Sequence, residues 1–497
     1  MRQIRDINKI NNAIKLFEQG KYKEVFEIAQ KLIVSNKNNI DVLSLLIESA
    51  RGLSDVENEE KYLLKAIKIS DNPILYHALA VLYYKIADFS NSKIYYQKAL
   101  ELDSNYIDCY LYLSLIYTME YNFKKAENLI LKAIQLTENT EKVYECYHYL
   151  AQLYVKNEQF EKAYEIYKVL VELKRYDANL LFNFSLLCLK LRKYLDGFNL
   201  YRTRYQKGKK DILSLADSIK VLDKDIDIAN KKILLVGEQG YGDSIHFIRY
   251  VPMLLEKNAK VFATVNNLVL ELFQKNYPEV EFVNSAITKF DYQLPLSDAA
   301  YFFSTQYDTI PFQNNYLNVN KKDSLLIEKK DFRNSRKRRV GIIWRSNAHF
   351  STNSDAKFKD KYRERWNVDL KFFIKYFNQA DVELYSLQVS VTEKERKLLQ
   401  ENNIPSLGDD FVSFYDNALV IDNLDVLIAI NTASALLSGA MGKKTIIFLP
   451  DSSDWRWGIE DSTSNWYKSV TLVRQKDREG WESLIKRTLI FNDLTKL

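Results

Sequence analysis

The sequence predicts two structural classes in one chain, an all-α array of helical repeats followed by an α/β region made of two lobes. The first observation is the distribution of proline and glycine. Only Pro73 precedes residue 231, whereas the other six prolines and nine of the 13 glycines follow it. Long helices exclude both residues, and folds built from strands, turns and helices need them at the turns. The other two observations are a repeat in the first part and an alternation of strands and helices in the second.

The composition is that of a globular protein. Hydrophobic residues make up 47% of the 497 residues and charged residues 27%, and Tyr (34) and Phe (26) supply ample surface to bury. The net charge of +6 is too mild for a dedicated nucleic-acid binder. No run of about 18 apolar residues is present, and residues 1–12 lack an apolar signal core. We therefore expect a cytoplasmic protein without a transmembrane segment, for which peripheral membrane contact stays open.

Cysteine and histidine usage limits the chemistry further. The three cysteines, Cys109, Cys146 and Cys188, all fall in the predicted helical part, which fits reduced core thiols better than a disulfide framework. The four histidines do not cluster with the cysteines. We therefore expect neither a metal site nor a bound cofactor.

The first part of the chain repeats with a period of 34 residues. Four spaced positions recur one period later, where Leu79, Tyr83, Phe89 and Ala99 are followed by Leu113, Tyr117, Phe123 and Ala133. The next step is longer by three residues, which lie near 141–146, and the step after it is again 34. This period is typical of tetratricopeptide repeats, in which each unit is a helical hairpin.

Small residues recur at the two positions where the helices of such a hairpin must approach closely. They are Ala80, Ser114, Ala151 and Ser185 at the first position, and Ser92, Ala126, Ala163 and Gly197 at the second. We predict about six repeats within residues 8–206, and a tetratricopeptide domain over 1–210. One unit cannot bury its own apolar face, so stacked units form a solenoid with a concave groove. Such a groove normally binds a peptide or a protein.

The second part alternates short apolar strands with amphipathic helices such as 245–256 and 370–379. This alternation predicts parallel sheets covered by helices on both faces. A basic run at 333–339 separates two sets of strands, and we predict two Rossmann-like lobes over 231–330 and 339–497. The strand-like runs are 233–236, 261–265 and 280–283 in the first set, and 340–344, 383–387, 426–430, 445–449 and 471–473 in the second.

A glycine-rich turn follows the first predicted strand. It contains Gly237, Gln239, Gly240 and Gly242, and it ends at Asp243 where a helix opens. Its glycines are spaced GxxGxG, which is not the dinucleotide fingerprint, but they allow a ligand close to the backbone and to the helix N-terminus. Asp243 has two interpretations, a simple helix N-cap or a carboxylate that acts as general base on an acceptor hydroxyl.

A second turn, Asn431-Thr432-Ala433, follows a buried strand and opens the helix 433–440. The carboxyl end of a strand and the amino end of a helix together suit a phosphate or a ribose. Asn431 and Thr432 are therefore candidate ligand-binding residues. Simple helix capping explains them as well.

Two further segments carry aromatic and basic residues. In Asp454-Trp455-Arg456-Trp457 the aromatic rings can stack on a base or sugar, and Arg456 can hold a phosphate. The alternative is a packing cluster between lobes. In the other segment, Trp344 and Arg345 follow a strand, and the polar loop after them carries Arg365. These arginines could neutralise a diphosphate, and a solvated basic loop explains them equally well.

Three segments together resemble bacterial tetratricopeptide proteins whose C-terminal region is similar to glycosyltransferase family 9, the heptosyltransferase-like group. They are GEQGYGDSIHFIRYVP at 237–252, VGIIW at 340–344 and NTASALLSGAMGKKTIIFLPDSSDWRW at 431–457. The resemblance covers roughly 231–495. It implies a GT-B fold and metal-independent, inverting transfer from a nucleotide-sugar. In such a fold the first lobe would hold the acceptor and the second lobe the donor.

The resemblance also implies roles for single residues. Asp243 matches the catalytic base, and Asn431 and Thr432 match the donor-binding turn. That turn usually reads Asp-Thr-Ala with a His shortly after, whereas this chain has Asn431 for the Asp and Leu436 in the His position. Asn can still hydrogen-bond a hydroxyl or a phosphate but carries no charge. The departure either changes donor selectivity or removes activity.

Three functions therefore remain in competition. The first is a glycosyltransferase whose repeats recruit a protein acceptor, for instance a surface or flagellar protein. The second is a non-catalytic adaptor with a degenerate glycosyltransferase-like module. The third is a transferase for lipopolysaccharide sugars. The intact glycine-rich turn favours an enzyme, and the changes at Asn431 and Leu436 favour the adaptor.

Overall fold

The computed structural model describes residues 2–174, 177–207, 219–238, 240–283, 289–346, 366–378, 381–451, 453–476 and 479–492. Its contacts divide the chain into two compact units, and the boundary in the helical part falls between Ile166 and Tyr167. The last helical residues therefore belong to the unit that also contains the β-strands. The predicted domain limits at 210, 231, 330 and 339 stay predictions.

The described residues up to 207 form twelve α-helices and one 3-10 turn, Arg202–Lys207. From the first to the ninth, each helix contacts the next one along the chain. This confirms the helical repeat array that the 34-residue period predicts. The helices are Arg2–Glu18, Tyr22–Ser35, Ile40–Gly52, Val56–Ile67, Pro73–Lys85, Phe89–Leu102, Ile107–Met119, Phe123–Leu136, Thr140–Lys156, Phe160–Leu173, Ala178–Lys190 and Tyr194–Tyr201.

A left-handed backbone residue marks the turn inside each helix pair. These residues are Gly20, Ser54, Ala87, Tyr121, Glu158 and Arg192, with φ between 57° and 72°. Only the first is glycine, although this conformation costs other residues energy. The packing of the flanking helices therefore imposes the turn, and its position follows the sequence period.

The small residues allow the close approach that the sequence predicts. Within one hairpin the buried hydroxyl of Ser92 donates to the carbonyl oxygen of Ala80 at 2.9 Å. In the last hairpin, a Cβ atom at Gly197 would lie 2.7 Å from a methyl carbon of Leu189 and 3.0 Å from its backbone nitrogen. The longer step of the repeat lengthens one helix, Thr140–Lys156, which has 17 residues where Ile107–Met119 has 13.

The described residues from 219 onward form two sheets with only parallel pairing between their strands. The first sheet contains β1 (Lys232–Val236), β2 (Lys260–Thr264), β3 (Glu281–Phe282) and β4 (Tyr292–Pro295), in the order β3-β2-β1-β4. The sequence analysis missed β4, because its sequence, Tyr-Gln-Leu-Pro, is not an apolar run. The strand order reverses between β1 and β4.

The second sheet has the order β6-β5-β7-β8-β9. Its strands are β5 (Arg338–Ile343), β6 (Val382–Ser386), β7 (Val426–Ile430), β8 (Thr445–Leu449) and β9 (Val470–Arg474). All residues of β7 and β8 are buried, which explains why both strands read as unbroken apolar runs. Here the order reverses between β5 and β7.

Helices connect the strands, as the alternating pattern predicts. The predicted helix 245–256 consists of three pieces, Tyr241–Phe247, the 3-10 turn Ile248–Tyr250 and Val251–Glu256. Pro252 fits only near the start of a helix, since it lacks a backbone N–H. In the described part of the chain, no helix has the length and apolar character needed to cross a membrane. The remaining helices are Asn267–Asn276, Ala299–Phe302, Lys321–Asp331, Leu370–Phe377, Glu393–Glu401, Phe414–Asp422, Ala433–Ala440 and Trp481–Asn492.

Candidate functional site

The glycine-rich turn lies at the carboxyl end of β1 and leads into the helix Tyr241–Phe247. The N–H of Gly237 donates to the carbonyl of Thr264 on β2, at 2.8 Å. Gly240 is the N-cap residue and makes no side-chain cap, so Asp243 lies in the first turn of the helix and is not its N-cap. A Cβ at Gly240 would lie 2.8 Å from an Asp243 carboxylate oxygen. The carboxylate therefore folds back over the turn, and glycine makes room for it. Gln239 lies outside the described residues.

Gly242 brings this turn against the second predicted turn, which belongs to the other sheet. A Cβ at Gly242 would lie 2.9 Å from the Cδ1 of Leu436 and 3.8 Å from the Cα of Ala433. Leu436 is buried. The first turns of helices Tyr241–Phe247 and Ala433–Ala440 thus touch, and two turns that are almost 190 residues apart in the chain meet at one place.

Arg456 joins the third predicted segment to the same place. Its guanidinium pairs with Asp243 on one side and with Asp454 at 3.0 Å on the other, and it lies 4.7 Å from the centre of the Trp455 ring. Burial alone would lower the pKa of Arg456, but the two carboxylates reverse this effect and raise it. Arg456 is thus a permanent cation in contact with the Asp243 carboxylate. The Asp243 side chain keeps 36% of its surface exposed, whereas that of Arg456 keeps 8%.

In the second turn, Thr432 has the capping role that the sequence offered as one alternative. Its hydroxyl accepts a hydrogen bond from the N–H of Ala435 at 3.3 Å. Asn431 and Ala433 are half-buried. Asn431 follows β7 directly, beside the point where the strand order of the second sheet reverses. In sheets of this kind, ligands bind outside the carboxyl ends of strands at such a reversal.

The strand on the other side of that reversal, β5, leads into Trp344 and Arg345. Trp344 is buried and its indole N–H donates to Glu395 at 2.6 Å. The Arg345 guanidinium donates to the carbonyl of Ser390 at 2.7 Å and pairs with Glu395 at 3.2 Å. Glu395 therefore contacts both side chains. Arg365 lies outside the described residues.

Trp455 of the third segment packs in an aromatic cluster with Trp466, which lies outside that segment. The rings of Trp455 and Trp466 lie 5.8 Å apart, and both contact Tyr194 from the last helical hairpin, whose hydroxyl accepts the Trp466 indole N–H at 3.2 Å. Both tryptophans are buried. Their burial favours the packing interpretation over stacking on a ligand, and it leaves Asp454 and Arg456 as the polar groups of this segment at the candidate site.

Two buried residues behind Asp243 were missed by the sequence analysis, although both lie in the quoted segment. The Nδ1 of His246 lies 2.7 Å from the hydroxyl of Tyr467, and burial, with smaller contributions from Arg249 and Arg456, lowers the pKa of His246 well below its usual value. Arg249 donates to the carbonyls of His246 and Trp466 at 2.8 and 3.0 Å. The available signal was their spacing of three, because two polar residues at this spacing in the predicted helix 245–256 would lie on the same face.

A buried ionic cluster lies at the order reversal of the first sheet and was also missed. Arg204, from the 3-10 turn after the last hairpin, pairs with Asp298 at 2.6 Å and with Glu238 of the glycine-rich turn at 3.3 Å. Burial raises the pKa of Glu238, and Arg204 opposes this effect only in part. No local pattern predicts this cluster, because its members come from three distant segments.

The described ranges contain no group of three or more His, Cys, Asp or Glu side chains arranged to hold a metal ion. The site assembled by the structure thus consists of two strand-to-helix turns, one half-exposed carboxylate and one buried arginine.

No protein-family model matches this sequence, and no curated protein matches it. Solved structures are similar over part of the chain. MamA protein is 18% identical, with a TM-score of 0.31, and the match covers 35% of this chain and 94% of the MamA chain. A tetratricopeptide repeat protein from Parabacteroides merdae is 14% identical with a TM-score of 0.36, over 41% of this chain and 88% of its own. A thermophilic TPR protein in Thermus thermophilus is 18% identical with a TM-score of 0.30, over 37% of this chain and 99% of its own.

Proposed function

We propose that this protein is a glycosyltransferase that moves a sugar from a nucleotide-sugar to a protein acceptor recruited by its helical repeats. One observation carries the proposal. The half-exposed carboxylate of Asp243 lies at the contact between two strand-to-helix turns from different parallel sheets, and it forms an ion pair with Arg456. The contact between two turns at the carboxyl ends of strands from two parallel sheets supports the GT-B arrangement that the sequence resemblance implies.

In this proposal Asp243 is the general base. It takes the proton of the acceptor hydroxyl while that oxygen attacks the anomeric carbon of the donor sugar. The bond between this carbon and the nucleotide phosphate breaks, and its electron pair leaves with the phosphate. Arg456 orients the carboxylate through the ion pair. General-base catalysis of this kind contributes about 10²–10⁴-fold to the rate.

The donor would bind at the order reversal of the second sheet. Asn431 supplies an amide for a hydroxyl or phosphate oxygen, and the helix Ala433–Ala440 presents its free N–H groups and the positive end of its dipole. Stabilisation of the leaving phosphate by such groups requires no metal ion and no bound cofactor. The helical repeats in the first unit belong to a fold that serves mainly to bind proteins, which favours a protein acceptor.

Binding of the donor is tested by thermal shift with a panel of nucleotides and nucleotide-sugars. The wild-type protein should be stabilised by one nucleotide class, and Asn431→Ala and Arg456→Ala should abolish this stabilisation relative to their own unliganded melting temperatures. Asn423→Ala is the matched control, because Asn423 precedes the amino end of β7 whereas Asn431 follows its carboxyl end. A nucleotide shift that survives Asn431→Ala, or that Asn423→Ala removes equally, would contradict the assigned donor site.

Catalysis is tested with the isosteric change Asp243→Asn, which keeps a hydrogen-bond acceptor for Arg456 but removes the base. With the nucleotide-sugar found in the panel, we expect turnover to fall by about 10²–10⁴-fold while donor affinity stays within about threefold. Asp454→Asn removes the other carboxylate of Arg456 and should cost much less. Equal losses in both variants would assign the effect to Arg456 and not to a base at Asp243.

A non-catalytic adaptor is the second candidate, and one contact favours it. Leu436 packs on Gly242 at the position where the resemblance implies a histidine, so an apolar contact replaces a polar group of the donor site. An adaptor should keep its partner and its cellular function in the Asp243→Asn variant, and it should show no stabilisation by any nucleotide-sugar.

A further inference from the structure

The 3-10 turn Arg202–Lys207 places a charged side chain beside residues that follow two strands of the first sheet. Arg204 is 1% exposed, and its guanidinium lies between Asp298 and Glu238, which are themselves buried. Asp298 follows β4, and Glu238 follows β1. These are the two strands between which the order of the first sheet reverses. The helical part therefore supplies the cation in the crevice where parallel sheets commonly take a ligand.

The contacts of Glu238 extend from this cation into the glycine-rich turn. Its carboxylate accepts the Arg204 guanidinium at 3.3 Å and the backbone N–H of Ser297 at 3.0 Å. Its backbone carbonyl accepts the hydroxyl of Ser244 at 3.2 Å, and Ser244 is the neighbour of Asp243. Glu238 therefore restrains the segment around Asp243 at both ends. Its own position is held by Arg204 and Ser297, and its carbonyl binds Ser244 after Asp243.

The hairpin that precedes Arg204 is held within the same unit at other points. Lys190 donates to the carbonyl of Ser453 at 2.8 Å, and Arg192 pairs with Asp461 and donates to the hydroxyl of Tyr307 at 3.1 Å. These contacts hold the hairpin in place without touching the glycine-rich turn. Arg204 is thus a residue through which the helical part reaches the turn.

We propose that Arg204 is a positioning residue, which holds the glycine-rich turn through Glu238 so that Asp243 meets Arg456. On the proposed function, the last helical hairpin is then required for the transfer step itself and not only for recruiting the acceptor. The ordering of the turn by Arg204 does not depend on what the site binds, so it can be measured separately.

The experiment compares Glu238→Gln with Asp298→Asn in the full-length protein by hydrogen–deuterium exchange. Each change removes one carboxylate charge beside Arg204, and only Glu238 belongs to the turn. We expect Glu238→Gln to speed exchange of backbone amides at 240–247 by about tenfold or more. Asp298→Asn removes the shorter of the two ion pairs, so it should lower the melting temperature at least as much as Glu238→Gln does. It should nevertheless speed amide exchange at 240–247 much less than Glu238→Gln. If the ion pairs of Arg204 only stabilise the fold, the melting temperature and the amide exchange at 240–247 should change in proportion in the two variants.

Arg204→Met and Arg204→Lys complete the test. Arg204→Met should speed exchange at 240–247, Arg204→Lys should restore part of the protection, and Arg192→Met should leave the segment unchanged. If Arg204→Met does not fold, the comparison of Glu238→Gln with Asp298→Asn still decides. Unchanged exchange at 240–247 in Glu238→Gln, or equal acceleration in Asp298→Asn, would overturn the proposal.

Activity gives an independent readout. If the wild type transfers sugar, Glu238→Gln should lower kcat by about tenfold or more and leave the KM for the donor within about threefold. If the wild type has no transferase activity, the proposed function fails, and the exchange data still show whether Arg204 orders the turn.

Discussion

Replacing Gly242 by valine is expected to push apart the two turns that form the candidate site. The first atom of a side chain at this position would lie 2.9 Å from the Cδ1 of Leu436 and 3.9 Å from the Cβ of Ala433. The two further methyl groups of valine reach beyond that atom into the same contact. Because Leu436 is buried, it has little free space into which it can move.

The magnitude follows from packing. Inserting atoms into a filled contact costs about 1–3 kcal/mol, and valine and glycine differ by only a few tenths of a kcal/mol in helix propensity. The clash therefore dominates the effect of Gly242→Val. Leu436→Ala alone should cost about 2–4 kcal/mol, because it leaves a cavity. In the double variant valine fills part of that cavity, so the total loss should be smaller than the sum of the single losses by at least about 1 kcal/mol.

Tryptophan fluorescence during urea unfolding measures the free energies of unfolding of the two single variants and the double variant, in the unit that contains both turns. All six tryptophans follow residue 166, so their signal reports only on the unit that contains the sheets. Gly480→Ala is the control, since a Cβ there would have no heavy atom of the described structure within 4 Å. We expect this control to stay within about 0.5 kcal/mol of the wild type. Additive losses for Gly242→Val and Leu436→Ala would refute the contact between the two turns.

Three further outcomes are expected. Because the pKa of His246 is lowered in the folded state, protons favour the unfolded state. Stability should therefore fall below pH ~6.5 by up to ~1.4 kcal/mol per pH unit, and His246→Asn should flatten tryptophan-monitored stability between pH ~6.5 and ~5.5. Thr432→Ala removes a helix N-cap and should cost about 1 kcal/mol in urea unfolding, whereas Thr432→Ser should retain most of it. Burial raises the pKa of the thiols to about 12, 11 and 12 for Cys109, Cys146 and Cys188. A thiol reagent at pH about 8 should label them only after unfolding, and rapid labelling of the native protein would contradict their burial.

The sequence by itself determined the features that depend on local periodicity. The 34-residue repeat, the small residues at close approaches and the repeat step that is three residues longer were all readable, because each helical hairpin packs mainly on its neighbours in the chain. The strands β7 and β8 were readable for a related reason. A strand buried on both faces must be apolar throughout, so its pattern does not depend on its partners.

Only the tertiary structure decided which residues of different segments meet. The sequence allowed two interpretations of Asp243, a helix N-cap or a general base. In the structure, Asp243 lies in the first turn of its helix and pairs with Arg456, more than 200 residues away in the chain. The contacts also group the chain from Tyr167 onward with the sheets, through residues such as Arg204. Ion pairs between distant segments leave no periodic trace, since a charged residue looks the same in a sequence whether it faces water or a buried partner. That choice is made by the packing of whole elements, which only the folded chain contains.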